Sequence, residues 1–427
     1  GEQGNQRLFT VSFWVKRSKI SYQCGLFGSG GSGAYATSLF FSSDDTLRFW
    51  NWFNSAYDGR KYSSAKYRDT NAWYHIVIRV DTANSTASER MRVYVNGEEM
   101  DYGGQNDNPS QNRTMEVGHN GTHYIGGYGT GAEFEGLMSH FHYCDGYSYA
   151  PTEFGETDST TGEWKIKTSP NVQYGTTGVF ILKDGNSLTD QSGLTHNWTV
   201  ANGTLTNTED NPSNVFNVNN PLIVQSANGN HGYGNTNWST GAASWRMTIG
   251  TIGATTGKYY AECQVYGSGG NVHWMNGIVS LDQNTAHSNQ YPGGDSGKLG
   301  AAYNWDGQQY VNGSNSNYGA SYGNNDIIGI AMDLDNRKLY FSKNGTWQNS
   351  GDPTSGSTGT GAIDIPSSTD AYTFGFAAHN SSMNCNFGNG YFGGTAVSSA
   401  GTNASGIGIF EYDVPTGYTA LSTKGLN

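Results

Sequence analysis

Several stretches of this 427-residue sequence carry residue types that do chemistry elsewhere. Gly294-Asp295-Ser296-Gly297 has the form of a serine-protease nucleophile motif, and Ala377-Ala378-His379 echoes the matching histidine motif. Acyl transfer depends on the geometry of a triad rather than on fragments, and here His follows Ser, the reverse of that motif order. His140, His142 and Cys144 alternate along one strand, so they share a face and have metal-ligand types. Three ligands on one flat strand rarely converge on a tetrahedral ion, so no metal is expected. Glu133-Phe134-Glu135 is the nearest approach to the two carboxylates of glycoside hydrolysis, and the further acidic residue two or three positions on is missing. No HExxH and no GxxxxGK[ST] is present. Calcium needs converging oxygens; Ser43-Asp44-Asp45 could supply a turn for them but is equally an ordinary turn, and no calcium site is assigned. The expectation is a chain with no catalytic residue, no metal and no cofactor, and so not an enzyme.

The elements around these residues read as strands. Phe9 to Lys16, Leu39 to Ser42, Leu47 to Trp50, Trp73 to Val80, Met91 to Val95 and Gly136 to Tyr143 are short, rich in β-branched and aromatic residues, and bounded by turn residues. Asn96-Gly97 predicts a tight turn, because both residues tolerate positive φ. The second half repeats the style without repeating the sequence. Its strands are Lys258 to Val265, Trp274 to Leu281, Lys298 to Trp305, Asp326 to Asp333, Lys338 to Lys343, Tyr372 to Ala378 and Met383 to Phe387. No 10–15-residue amphipathic helix pattern occurs. The fold class is therefore all-β, two tandem antiparallel β-sandwiches. The domains are residues 1–155, an extension and connector at 156–210 with one added strand (Gly178 to Leu182), and residues 211–427.

Ordered motifs in the second half resemble a SPRY domain. They are Gly257-Lys258-Tyr259-Tyr260-Ala261-Glu262, Gly277-Ile278-Val279, the hairpin Asn325-Asp326-Ile327-Ile328-Gly329 through Asp333-Leu334-Asp335-Asn336, Lys343-Asn344-Gly345 and Asn384-Cys385-Asn386-Phe387-Gly388. The family's usual Gly before the hairpin Asp is Asn325 here. The first half resembles a laminin-G/concanavalin-type sandwich through Phe9 to Val15, Trp73 to Val77, Val93-Tyr94-Val95-Asn96-Gly97, Tyr124-Ile125-Gly126-Gly127 and Phe134 to Ser139. Their succession, with Pro151 to Glu156, Asn197-Trp198-Thr199-Val200, Asn211 to Phe216 and Pro415 to Leu421, is similar to virion structural proteins of aquatic tailed bacteriophages, tail fibres or other surface components.

The SPRY resemblance implies peptide or protein binding through loops at one end of the sandwich. The loops Asp282–Lys298 and Trp305–Tyr322 supply Tyr291, Trp305, Tyr310, Tyr318 and Tyr322 among Gly, Asn and Ser, a composition suited to adaptable recognition. Each of these tyrosines could equally pack the sandwich, and packing is the expectation for Trp305. The laminin-G resemblance implies sugar binding, which needs exposed aromatic faces beside amides and carboxylates. Trp50 and Trp52 point the same way, because alternate strand residues share a face. Either that face binds, or it is the core.

Composition bounds the partners. Net charge is −12, charged residues are 14% and no Lys/Arg run occurs, so nucleic acid is not an expected partner. No run of 18 apolar residues occurs, and no membrane insertion is expected. Cys24, Cys144, Cys263 and Cys385 are too far apart for CxxC motifs. They form one disulfide per half or remain buried thiols. Sequons stand at Asn84, Asn112, Asn120, Asn197, Asn202, Asn237, Asn312, Asn344, Asn380 and Asn403. The reading is a non-enzymatic virion surface or fibre protein, at the virion surface or outside the cell, displaying modules for cell-surface glycans or proteins. The alternative is a purely structural subunit of a capsid decoration or filament. Its partners would be copies of itself or other virion or filament proteins.

Overall fold

The structure is a computed structural model, and it describes residues 2–128, 132–183, 187–203, 205–223, 229–267, 269–281, 291–294 and 299–426. The chain divides into two compact units, Gly1–Thr206 and Asn207–Asn427. Among the described residues the elements are strands and single 3-10 turns.

In the first unit the strands are β1 (Leu8–Arg17), β2 (Cys24–Ser32), β3 (Tyr35–Phe41), β4 (Thr46–Phe53), β5 (Ala56–Lys66), β6 (Trp73–Asp81), β7 (Met91–Val95), β8 (Glu98–Glu99), β9 (Tyr102–Asp107), β10 (His123–Ile125), β11 (Gly136–Asp145), β12 (Gly155–Thr157), β13 (Trp164–Ile166) and β14 (Val179–Ile181). They build two facing sheets, ordered β14-β11-β1-β6-β7-β8 and β10-β2-β3-β4-β5-β9. Between them lies a core that includes Phe9, Val11, Phe13, Leu39, Phe49 and Ile76. Alternation along β1 sends Phe9, Val11, Phe13 and Val15 into this core. Its other face is buried as well: Thr10, Ser12 and Trp14 are at most 4% exposed. The reason is the segment after β11. Its Phe154 and Val172 pack with Val77, Tyr94 and Cys144 in a second apolar cluster, and Trp164 reaches His75 of β6.

Asn96 and Gly97 make the expected turn between β7 and β8, with φ of 50° and 87°. Gly97 is needed twice. Its positive φ suits glycine, and a Cβ there would lie 2.6 Å from the Trp164 ring. The extension thus adds more than the one strand read in the sequence: β14 pairs with β11, and β12 and β13 form a hairpin of their own.

The second unit contains β15 (Gly229–Gly232), β16 (Asn237–Thr240), β17 (Arg246–Ile249), β18 (Lys258–Tyr266), β19 (His273–Ser280), β20 (Gly300–Asn304), β21 (Gln308–Val311), β22 (Ser314–Asn317), β23 (Ile327–Asp333), β24 (Lys338–Lys343), β25 (Thr346–Trp347), β26 (Ile363–Asp364), β27 (Tyr372–His379) and β28 (Ser381–Asn386). One sheet runs β15-β16-β28-β18-β23-β24-β25, and the other β17-β27-β19-β20-β21-β22. The core between them holds Trp238, Tyr259, Ile278, Tyr303, Ile330, Phe341, Phe374 and Phe387, among others. Asn325 has φ of 70°, so the residue before the hairpin Asp takes the left-handed conformation that Gly adopts freely and Asn tolerates. Cys263 and Cys385 are register partners on β18 and β28, with Sγ atoms 3.9 Å apart. All four cysteines are buried free thiols, so of the two alternatives the thiol one holds.

Candidate functional site

On β4, Leu47 and Phe49 are fully buried. Period two then turns Arg48, Trp50 and Trp52 to the opposite, outer face. Pairing with β5 sets Tyr62 opposite Arg48, Arg60 opposite Trp50 and Tyr57 opposite Trp52. The result is a ladder of rings and guanidiniums. Trp52 and Tyr57 meet edge to face at 4.6 Å, and Trp50 and Tyr57 at 6.0 Å. Arg60 lies 4.7 Å from the centroid of Tyr57, and Arg48 4.8 Å from that of Tyr62. Trp52 Nε1 donates to the Gly33 carbonyl at 3.2 Å, which fixes the indole. Arg60 is held by Asp107 across β9, and Arg48 by Asp44. Tyr57 is 46% exposed. The face between Trp50 and Trp52 is therefore a surface, not the core. Ring faces flanked by anchored charged groups can stack on an apolar face and hydrogen-bond its hydroxyls.

The loop aromatics of the second unit divide. Tyr318 and Tyr322 are 6% and 4% exposed and belong to the core. The Tyr322 hydroxyl donates to the Tyr303 carbonyl at 2.8 Å, and that of Tyr318 accepts from the Phe341 N–H at 3.2 Å. Both are thus corrected from binding residues to packing residues. A phenol brings a large apolar body inward once its hydroxyl finds a partner. Trp305, Tyr291 and Tyr310 are half-buried. Tyr291 and Tyr310 lie over Met247, Met275, Val279 and Ala302 on the outer face of the second sheet. Trp305 stacks on His273 at 4.4 Å, and Trp245 lies within 6.2 Å of His273, Tyr291 and His379. Trp245 and His273 were not singled out in the sequence, and His379 only as part of the histidine-motif echo. Their proximity comes from strand pairing, which sets His273 opposite His379. Much of the Asp282–Lys298 loop lies outside the described residues, as do Asp295, Ser296 and Gly297 of the nucleophile-like motif.

Ser12 Oγ lies 2.9 Å from His75 Nε2, a contact that looks like an activated nucleophile. The tautomer shows otherwise. Trp164 Nε1, a donor only, contacts His75 Nδ1 at 3.0 Å, so Nδ1 accepts and Nε2 carries the hydrogen. The imidazole therefore donates to Ser12 and cannot take its proton. Burial pushes His75 down to about 3, so it stays neutral. His142 is held by Tyr174 at 2.8 Å and stacked on Phe180 at 4.0 Å, and burial pushes it well below its ordinary range. His140 sits at a bulge, with φ of 49°, which breaks the alternation expected through Cys144. Among the described residues no three His, Cys, Asp or Glu side chains are grouped to hold a metal ion. Asp45 is taken by Arg17, Arg68 and the Ser21 N–H. Glu135 pairs with Lys19 at 2.8 Å.

Three sequon amides are already engaged. Asn237 Nδ2 donates to Asn384 at 2.6 Å, Asn344 Nδ2 to Asp326 at 2.7 Å, and Asn403 Nδ2 to the Ile407 and Gly408 carbonyls. A glycan on Asn403 would remove one of its two donated bonds, because the glycosylated amide keeps a single N–H. Asn112, Asn120, Asn197, Asn202, Asn312 and Asn380 are exposed, and Asn84 is half-buried.

Residues 3–147 match the family model of the concanavalin A-like lectin/glucanases superfamily, in its laminin-G form. Residues 258–388 match the SPRY domain model. Among solved structures, the SPRY domain of human HERC1 is similar at 14% identity, covering 39% of this chain and 96% of that one, with a TM-score of 0.31. A human SPRY domain gives 17% identity, 35% and 90% coverage and a TM-score of 0.28. The TRIM65 PSpry domain gives 11% identity, 40% and 91% coverage and 0.30. No curated protein matches the chain. The chain thus carries a laminin-G-like, concanavalin-type domain followed by a SPRY domain, two β-sandwich modules of the recognition type.

Proposed function

We propose that this chain is a non-enzymatic virion surface or fibre protein whose first module binds glycans on the outer face of β4 and β5. One observation carries the reading: Trp50, Trp52 and Tyr57 share a solvent-facing side of the sheet, braced by Arg48 and Arg60. The order of the two modules, and its resemblance to phage virion proteins, supports the virion setting. Copies displayed together would raise weak single-site affinity by avidity.

The test is a glycan array probed with the full chain and with a Trp50→Ala/Trp52→Ala variant. Both indoles face outward, so the fold is expected to survive. The variant should lose at least about tenfold in affinity, roughly 1.4 kcal/mol. Undiminished binding by the variant, or binding to no glycan, would refute the site. Release of reducing sugar from any array glycan would refute the non-enzymatic part.

A further inference from the structure

We infer that the glycan taken by the β4–β5 face is an uncharged sugar chain, and that Asp44 and Asp107 set this choice by occupying the guanidiniums an acidic sugar would need. The ligand class rests on the reading of this face as the glycan site.

Charge on the face is already matched. Arg48 pairs with Asp44 at 2.8 Å, and Arg60 with Asp107 at 2.5 Å. Each guanidinium also lies over a ring, Tyr62 for Arg48 and Tyr57 for Arg60. A cation held between a ring and a carboxylate has little left to offer a second anion. The pairing is built into the strands. Asp107 is the register partner of Arg60 across β5 and β9, and Asp44 lies in the turn that opens β4, four residues before Arg48.

The pairs stay open to solvent, and the acid is the more exposed partner in each. Asp44 and Asp107 are 45% and 49% exposed, Arg48 and Arg60 29% and 28%. A ligand settling on the rings therefore meets carboxylate oxygens first. These accept hydrogen bonds from the hydroxyls of a neutral sugar and repel a uronate, sialate or sulfate. Burial opposes the charge on Asp44, but the Thr46 hydroxyl and N–H and the Arg48 guanidinium outweigh it and hold the carboxyl down to about 2. The chain's net charge of −12 repels anions at longer range. Along β4, Arg48, Trp50 and Trp52 span about 13 Å at about 3.3 Å per residue, a length that suits a run of sugars rather than one ring.

The experiment is a glycan array that includes matched chains differing only in charge, β-1,4-mannan beside β-1,4-mannuronan and β-1,4-glucan beside β-1,4-glucuronan. It is probed with the full chain, Asp44→Asn/Asp107→Asn and Trp50→Ala/Trp52→Ala. The full chain should prefer uncharged glycans over acidic counterparts by at least about tenfold. That binding should need Trp50 and Trp52, and should change less than about twofold between about 0.05 and 0.5 M NaCl, because no ion pair forms. Asp44→Asn/Asp107→Asn keeps size and frees both guanidiniums, so the preference should narrow to about threefold or less. Binding that needs the two tryptophans but favours acidic glycans, or that weakens steeply with salt, overturns the uncharged class and leaves the glycan site standing. A preference unchanged in Asp44→Asn/Asp107→Asn overturns the role of the two carboxylates. Binding to no glycan, or binding that ignores Trp50→Ala/Trp52→Ala, overturns the site itself and the selectivity with it. The salt and unmodified-chain arms decide the class even if the Asn variant does not fold.

Discussion

Replacing Asp45 with asparagine is expected to cost the first unit about 3–5 kcal/mol. Arg17 and Asp45 form an ion pair in which both side chains are 0% exposed. Arg17 also donates to the Tyr67 carbonyl at 2.5 Å and lies over the Phe41 ring. Burial opposes the charge on Asp45, but the Ser21 N–H and the Arg68 and Arg17 guanidiniums outweigh it and hold the carboxyl below its ordinary value. Asparagine keeps the size and tolerates the φ of 68° at this position, so the substitution isolates the charge. What it leaves behind is a buried guanidinium without a counter-ion. Denaturant unfolding of the full chain should show the first unit's transition shifted and the second unit's unchanged. Adding Arg17→Met should restore most of the loss, because an apolar replacement of a buried pair is often near neutral. A shift below about 1 kcal/mol for Asp45→Asn alone would show that the pair is not the anchor described.

The second large effect is a difference in acid tolerance between the units. His75 has its imidazole lowered from 6.5 to about 3 by burial. The unfolded chain binds a proton near pH 6.5 that the folded unit refuses, so stability is complete above that pH and is lost as pH falls below it. At about 1.4 kcal/mol for each pH unit, His75 alone removes about 3 kcal/mol by pH 4.5. His142, also lowered by burial, acts in the same direction. The second unit balances instead. Burial raises the Glu262 carboxyl from 4.5 to about 7, against the Glu411 and Tyr412 N–H groups that it accepts at 2.8 Å. Its contribution is complete below pH 4.5 and is lost as pH rises through 7. His231, lowered from 6.5 to about 4 by burial, runs the other way over nearly the same window. Between pH 7 and 4.5 the first unit's unfolding transition should therefore fall by about 3 kcal/mol or more, while the second stays nearly level. Glu262→Gln should unmask the His231 slope in the second unit. A first-unit transition that does not move over this range would sink the account of His75.

What the sequence showed and what it hid follow from one property of strands. Alternation says which residues share a face, and it placed Trp50 and Trp52 together. It does not say which face is covered. On β4 the aromatic side proved to be the outer one, while on β1 both sides are buried because a later segment folds over Thr10, Ser12 and Trp14. The sandwiches themselves were legible because the Asn96-Gly97 turn and the Asn325–Asn336 hairpin act over a few residues. Tyr318 and Tyr322 were misread because small polar neighbours look like an exposed loop. The pull inward came from carbonyl and N–H partners at Tyr303 and Phe341, on other strands.

The buried thiols have a consequence of their own. Burial raises Cys24 to about 11, and it raises Cys144 and Cys263 further, so the reactive thiolate is scarce in the folded chain. Neither unit relies on a covalent cross-link to hold its sheets. Neither sandwich therefore needs a disulfide-forming step to reach its fold.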